Sequence, residues 1–249
     1  MKYEFRKQAF SKVILLILAG VLELVFFAGI IFDNSDILGL GIGLLVAYGI
    51  GALFFLSYEA IFTFYNDLKQ KSSYMLFLTP HTSYAIVGAK VVSAGIQILL
   101  AGVALFLLAA LDGSVLIAKF NMLAEVKELI QSFLQQVYNV DLTLSSVIAV
   151  TALIITGWVN TLTVAFFAIT LSTTFLANSK LNGLVSFIIF ILINSAYSFI
   201  LNKFVDTTVT VDDFVNLTKF FTTQSIFMLV FTVITYLGTA WMLEKKVSV

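Results

Sequence analysis

Two carboxylates stand inside long apolar runs of this chain: Glu23 near the middle of the first run and Glu59 toward the end of the second. An ionised side chain in hydrocarbon is costly, so such a group faces water, meets a partner, or gives up its charge. Glu23 therefore reads in two ways. It is a polar contact in a translocation path or at a subunit interface, or it is a protonated carboxyl that fixes helix packing. For Glu59 the leading reading is structural, with a basic residue of the N-terminal segment as its partner; the other is a place in the same path. Gln97, Asn160 and Asn194 are weaker members of this class, able to bond across helices without carrying charge.

Other chemistry is excluded by what is missing. The chain has no cysteine, which removes disulfides, thiolate metal sites and cysteine nucleophiles. A lone histidine, His81, beside the lone proline, Pro80, cannot build a multi-histidine metal or haem site. It reads as a solvated or interface residue, since no nucleophile or orienting partner is spaced to work with it. No G-x-x-x-x-G-K-[ST] stretch occurs, so the chain has no P-loop for ATP. No catalytic constellation and no metal site is expected. Acidic and basic residues balance at 14 each, which speaks against nucleic acid as a partner.

The elements that must position these residues follow from composition. Hydrophobic residues make up 60% of the 249 positions and charged ones only 11%, against about 25% charged in a soluble domain. Such a chain cannot cover a water-facing surface and needs lipid as its solvent. Spans are expected at 13–32, 37–65, 86–111, 144–171, 184–201 and 226–243, each near or above the roughly 20 apolar residues that cross a bilayer as a helix. Continuous runs of this length are helices, not barrel strands of about 10 alternating residues. The first run is too long for the apolar part of a cleaved leader and lacks an A-x-A site, so it is expected to stay as a mature helix. The whole chain, 1–249, reads as a single transmembrane domain of all-α class.

Charge asymmetry orients it. With the N-terminus in the cytoplasm, the inside set is Lys2, Arg6, Lys7, Lys12, Lys69, Lys71, Lys90, Lys180, Lys245 and Lys246, against Lys119, Lys127, Lys203 and Lys219 outside. Both termini are then cytoplasmic. The first outer loop is only Asp33–Asp36. In the second outer segment, Met122, Val126, Leu129, Phe133 and Val137 form one apolar stripe, while Glu125, Glu128, Gln131, Gln135 and Gln136 populate the other side, which predicts an amphipathic outer helix before the fourth span. In the third, Thr210, Asp212 and Asp213 supply a helix start ahead of Phe214, Leu217, Phe220 and Phe221, which predicts a short outer helix before the sixth. Gly39 and Gly43 of the second span make a G-x-x-x-G pair that permits, and only weakly suggests, a close helix–helix seam.

The inner segment between the second and third spans is the most specific. A polar stretch, 66–73, precedes an apolar run, Tyr74–Leu78. Thr79 and Pro80 then offer a helix cap and a first helical residue whose missing N–H costs nothing. A short apolar-faced helix on the cytoplasmic side is either a docking element for a soluble partner or a connection resting on lipid headgroups, and spacing alone does not decide.

Lys71, Ser72, Leu76, Leu78, Thr79, Pro80, Ser83, Gly88 and Lys90 fall in the order typical of the first cytoplasmic loop of ABC-2 type permeases, the membrane subunits of a class of ABC exporters. This stretch resembles that loop, with Tyr74 where the family carries glutamate and Ala89 splitting the usual Gly-Lys pair. The layout of six spans with both termini inside is also similar. The resemblance implies that 67–80 is a coupling helix, with Lys71, Ser72, Tyr74, Met75, Leu76, Phe77, Leu78, Thr79 and Pro80 against an ATPase subunit. It implies ATP and Mg on that separate subunit, none on this chain, and a second permease chain as partner, identical or not. It implies export across a bacterial plasma membrane, with Glu23, Glu59, Gln97 and Asn160 in the path or at an interface. The 25 Phe and 9 Tyr residues suit an apolar path for hydrophobic or amphipathic cargo, although facing lipid and packing helices is the stronger explanation of them. Rival readings stay open: an ATP-independent secondary transporter or channel with Glu23 and Glu59 as proton carriers, or a membrane immunity or scaffold protein.

Overall fold

The computed structural model describes residues 8–69, 82–120, 128, 132, 144–175, 181–204 and 214–245. Its elements are α1 (Ala9–Ile31), α2 (Ser35–Lys69), α3 (Ser83–Phe120), α4 (Leu144–Phe175), α5 (Asn182–Phe204) and α6 (Phe214–Lys245), with no strand among the described residues. All six are long and apolar enough to cross a membrane. Their side chains confirm the solvent: Phe54 and Phe106 are each 72% exposed and Leu16 and Leu24 each 70%, an outer surface that water does not tolerate and lipid does. The chain is a multi-pass membrane protein.

Several helices run past the expected spans. α3 has 38 residues, about 57 Å at 1.5 Å per residue, nearly twice the roughly 30 Å hydrocarbon core. Its start is capped by Thr82, whose Oγ1 accepts from the Ala85 N–H at 3.3 Å while its carbonyl accepts from Ile86 N–H. α6 is helical from Phe214 and enters the last span without a break, so Phe214, Leu217, Phe220 and Phe221, expected in a short outer helix leading into that span, belong to its first turns, while Thr210, Asp212 and Asp213 lie outside the described residues. Of the segment 67–80 expected to be a coupling helix, 67–69 are the last residues of α2 and 70–80, including Thr79 and Pro80, lie outside the described residues, as does most of the expected amphipathic segment Lys119–Tyr138.

The helices divide into two compact units. The first comprises Met1–Phe64 with Ala89–Leu108. Its core is the α1–α2 hairpin. α1 ends as Asp33 turns into the left-handed region, φ 50°, and Asn34 N–H bonds back to Gly29 O at 3.2 Å, a helix-ending motif that satisfies the last carbonyls. Asn34 Oδ1 then caps α2 by accepting from the N–H groups of Asp36 and Ile37 at 3.0 and 3.2 Å. Two glycines let the helices meet: a Cβ at Gly29 would lie 2.6 Å from the Leu38 backbone, and one at Gly41 would lie 2.9 Å from Phe26 Cα. Phe26 is fully buried.

The second unit comprises Tyr65–Gly88 with Ala109–Val249. Its core is a parallel pair, α4 and α6. Thr156 meets Met228, Asn160 meets Thr232 and Thr163 meets Thr235, every pair separated by 72 residues. A constant offset along two helices requires that they run in the same direction and in register. The contacting positions advance by four and then three residues, the seam of a left-handed coiled pair. Phe167 fills the space over Gly238, where a Cβ would meet its ring at 2.8 Å. Val164, Thr170, Thr239 and Ala240 are fully buried, and Ala149 packs with Phe221 at the far end. The hydroxyls cost little here because most return to a backbone carbonyl one turn back, as Thr170 does to Phe166 and Thr239 to Thr235, while Thr232 donates to Asn160 Oδ1.

Candidate functional site

The polar groups of the first unit converge where α1, α2 and α3 meet. The helical repeat of α3 puts Lys90, Ser93 and Gln97 on one buried face. Gln97 Nε2 donates to Ser93 Oγ at 3.1 Å, a bond one turn long that holds the amide on that face. From α1, Gln8 Nε2 donates to Thr63 Oγ1 of α2 at 3.2 Å, in a buried position. Lys12, one turn further along α1, lies within Coulombic reach of Glu59 of α2. Tyr48 of α2 donates its hydroxyl to the Leu15 carbonyl at 2.7 Å. Among the described residues Glu59 Oε2 is shielded from solvent and accepts no hydrogen bond.

Three of these side chains border a partly open cleft of about 250 Å³. Its walls are Leu15, Leu16 and Ala19 from α1, Ala52 and Leu56 from α2, and Leu100, Ala101, Ala104, Leu105 and Leu108 from α3; its polar members are Lys12, Tyr48 and Gln97. The arrangement is an apolar cleft wall with a few polar groups at defined points, a composition compatible with an amphipathic small molecule or a lipid chain. No metal-binding cluster of His, Cys, Asp or Glu occurs among the described residues.

Of the four residues singled out for a path or interface, Gln97 lines the cleft and Glu59 faces Lys12 beside it. Glu23 lies further along α1, half-buried, with one carboxyl oxygen shielded. Asn160 belongs to the second unit, where its Oδ1 accepts from Thr232 Oγ1 at 3.3 Å and it is 4% exposed; it is a seam residue of α4 and α6. Asn194 returns its amide to the Phe190 carbonyl at 2.9 Å within α5. Lys71, Ser72, Tyr74, Met75, Leu76, Phe77, Leu78, Thr79 and Pro80 lie outside the described residues.

The sequence led to a basic residue of the N-terminal segment as the partner of Glu59 without saying which; Lys12, inside α1, is the one within its Coulombic reach. Tyr48 and the Gln8–Thr63 pair left no mark in the sequence, because a lone tyrosine or threonine in an apolar run is ordinary. If Lys12 and Glu59 act as a pair, removing both costs less stability than the single changes sum to. In a double-mutant cycle of Lys12→Met and Glu59→Gln, read by thermal unfolding in detergent, a coupling on the order of 1 kcal/mol is expected for contacting groups. Strict additivity would show that the two do not interact.

No family model, no curated protein and no solved structure matches the chain.

Proposed function

We propose that the chain is the permease subunit of an ABC-2 type exporter, working as a pair of permease chains with separate ATPase subunits. The observation that carries this reading is the ordered set Lys71, Ser72, Leu76, Leu78, Thr79, Pro80, Ser83, Gly88 and Lys90 between the second and third of six membrane helices. Segment 67–80 is the coupling element, and Met75, Leu76 and Phe77 are its apolar contact with the ATPase. ATP and Mg act on that partner. The cargo is hydrophobic or amphipathic; the apolar cleft with Lys12, Tyr48 and Gln97 in its wall supports this class. Both termini are cytoplasmic in a bacterial plasma membrane, as the lysine and arginine asymmetry favours.

A second reading, ATP-independent transport with proton-carrying acids, gains one observation: Glu59 has an oxygen shielded from solvent that accepts no hydrogen bond among the described residues, within Coulombic reach of Lys12. One experiment separates the two. The tagged chain is purified together with the products of its neighbouring reading frames, and transport by reconstituted vesicles is followed with and without ATP. An ATPase that co-purifies, and transport that stops without ATP, are expected. Transport that continues without ATP and collapses when the proton gradient is dissipated would replace the exporter by a secondary transporter.

A further inference from the structure

The segment assigned to docking precedes α3, whose first turns belong to the second unit and are tied there to α6 by Tyr236. Tyr236 of α6 donates its hydroxyl to the Tyr84 carbonyl at 2.8 Å, across 152 residues of sequence. That carbonyl lies in the first turn of α3, directly after the Thr82 cap. The approach is possible because residue 88 is glycine: a Cβ there would sit 3.0 Å from the Tyr236 hydroxyl oxygen and 3.8 Å from its ring. The residue that precedes Tyr236, Thr235, donates to Thr163 of α4 at 3.1 Å. A chain of contacts therefore runs from the start of α3 through Tyr236 into the parallel α4–α6 pair. The other flank of the docking segment is also held in this unit, with Tyr65 at the end of α2 packed over Gly183 at the start of α5 and Lys69 donating to the Tyr65 hydroxyl at 3.2 Å.

We propose that Tyr236 is a coupling strut: its hydroxyl on the Tyr84 carbonyl, admitted by Gly88, passes movement of the first turn of α3 to α6 and from there to α4. The proposal rests on the permease reading for the source of that movement, and on the geometry alone for the strut. Tyr236 is a positioning residue that touches neither cargo nor nucleotide. Packing by itself would not need the hydroxyl, because the ring fills its place over Gly88 whether or not it carries oxygen.

The test uses the full chain in lipid nanodiscs, with and without its co-purified ATPase. Three variants are compared with wild type: Tyr236→Phe, Gly88→Ala and the two combined. In Tyr236→Phe, amide hydrogen exchange across 84–90 is expected to rise about fivefold, in line with one lost hydrogen bond, while peptides covering 156–170 keep their protection. Gly88→Ala displaces the hydroxyl and is expected to match it, and the combined variant is expected to be no worse than either alone, since a phenyl ring leaves room for the methyl. With the ATPase bound, cargo moved per ATP hydrolysed is expected to fall severalfold while the ATPase still co-purifies. Unchanged exchange at 84–90, loss of protection spread equally over 156–170, additive effects of the two changes, or an unchanged transport-to-hydrolysis ratio in a complex that does transport would each overturn the strut. If no ATPase accompanies the wild-type chain, the exporter reading falls, and the exchange and additivity measurements still decide the strut.

Discussion

Chains carrying aspartate at both Leu76 and Phe77 are expected to insert all six spans, yet to lose ATP-driven transport almost completely. The two residues are the centre of the only apolar run, Tyr74–Leu78, in an otherwise polar stretch that begins at Asn66 and ends at Thr79. If that run is the contact with the ATPase, it holds the few buried side chains that dominate such an interface, where truncations cost about 2–4 kcal/mol each. A carboxylate in their place must also be stripped of water with no cation to meet it. Binding of the ATPase should weaken on the order of 100-fold or more, read as its loss from the purified complex, or as hydrolysis that continues without transport. Insertion is expected to be unaffected, because Leu76 and Phe77 fall between the apolar runs 37–65 and 86–111 in the sequence, and a protease-protection assay on intact cells checks it. Co-purification at the wild-type ratio with transport at the wild-type rate would remove these residues from the dock.

The second large effect concerns glycines that look alike in sequence. Gly29→Val is expected to break the α1–α2 hairpin, whereas Gly43→Ala is expected to leave the monomer intact. At Gly29 a Cβ falls 2.6 Å from both the backbone N and Cα of Leu38, atoms that cannot swing aside as a side-chain tip does. Core overpacking typically costs about 1–3 kcal/mol, and a clash with backbone at the tightest point of a hairpin belongs at or above the top of that range. At Gly43 nothing lies within 4 Å, so a methyl group enters open space and helix propensity improves by up to about 1 kcal/mol. Melting of the purified chain distinguishes them: a drop of many degrees for Gly29→Val and no drop for Gly43→Ala. Equal melting temperatures would mean that the hairpin crosses elsewhere. A Gly43→Val chain that stays folded but loses its dimer would assign the open Gly39 and Gly43 face to a second copy.

The six membrane helices were legible in the sequence, and for a definite reason. In hydrocarbon every backbone N–H and C=O must be satisfied within its own segment, so a long apolar run has one conformation open to it. Glu23, Glu59, Gln97 and Asn160 stood out because polar groups are rare in such runs, not because their partners were visible. What hydropathy could not supply is which side of each helix meets another helix. Lipid tails and helix interiors are equally apolar, so Phe26, fully buried, and Phe54, 72% exposed, read identically along the chain. Only the tertiary structure separated Gly29 and Gly41, which carry a helix crossing, from Gly39 and Gly43, which face open space. It alone packed α4 on α6 at a constant offset of 72 residues, singled out Lys12 among the N-terminal basic residues as the one within Coulombic reach of Glu59, and brought Tyr236 to the first turn of α3. Each of these joins residues distant in sequence, and apart from Asn160 and the Lys12–Glu59 approach they are made by small or hydroxyl-bearing side chains common in membrane helices, so that their meaning lies in the partner and not in the residue.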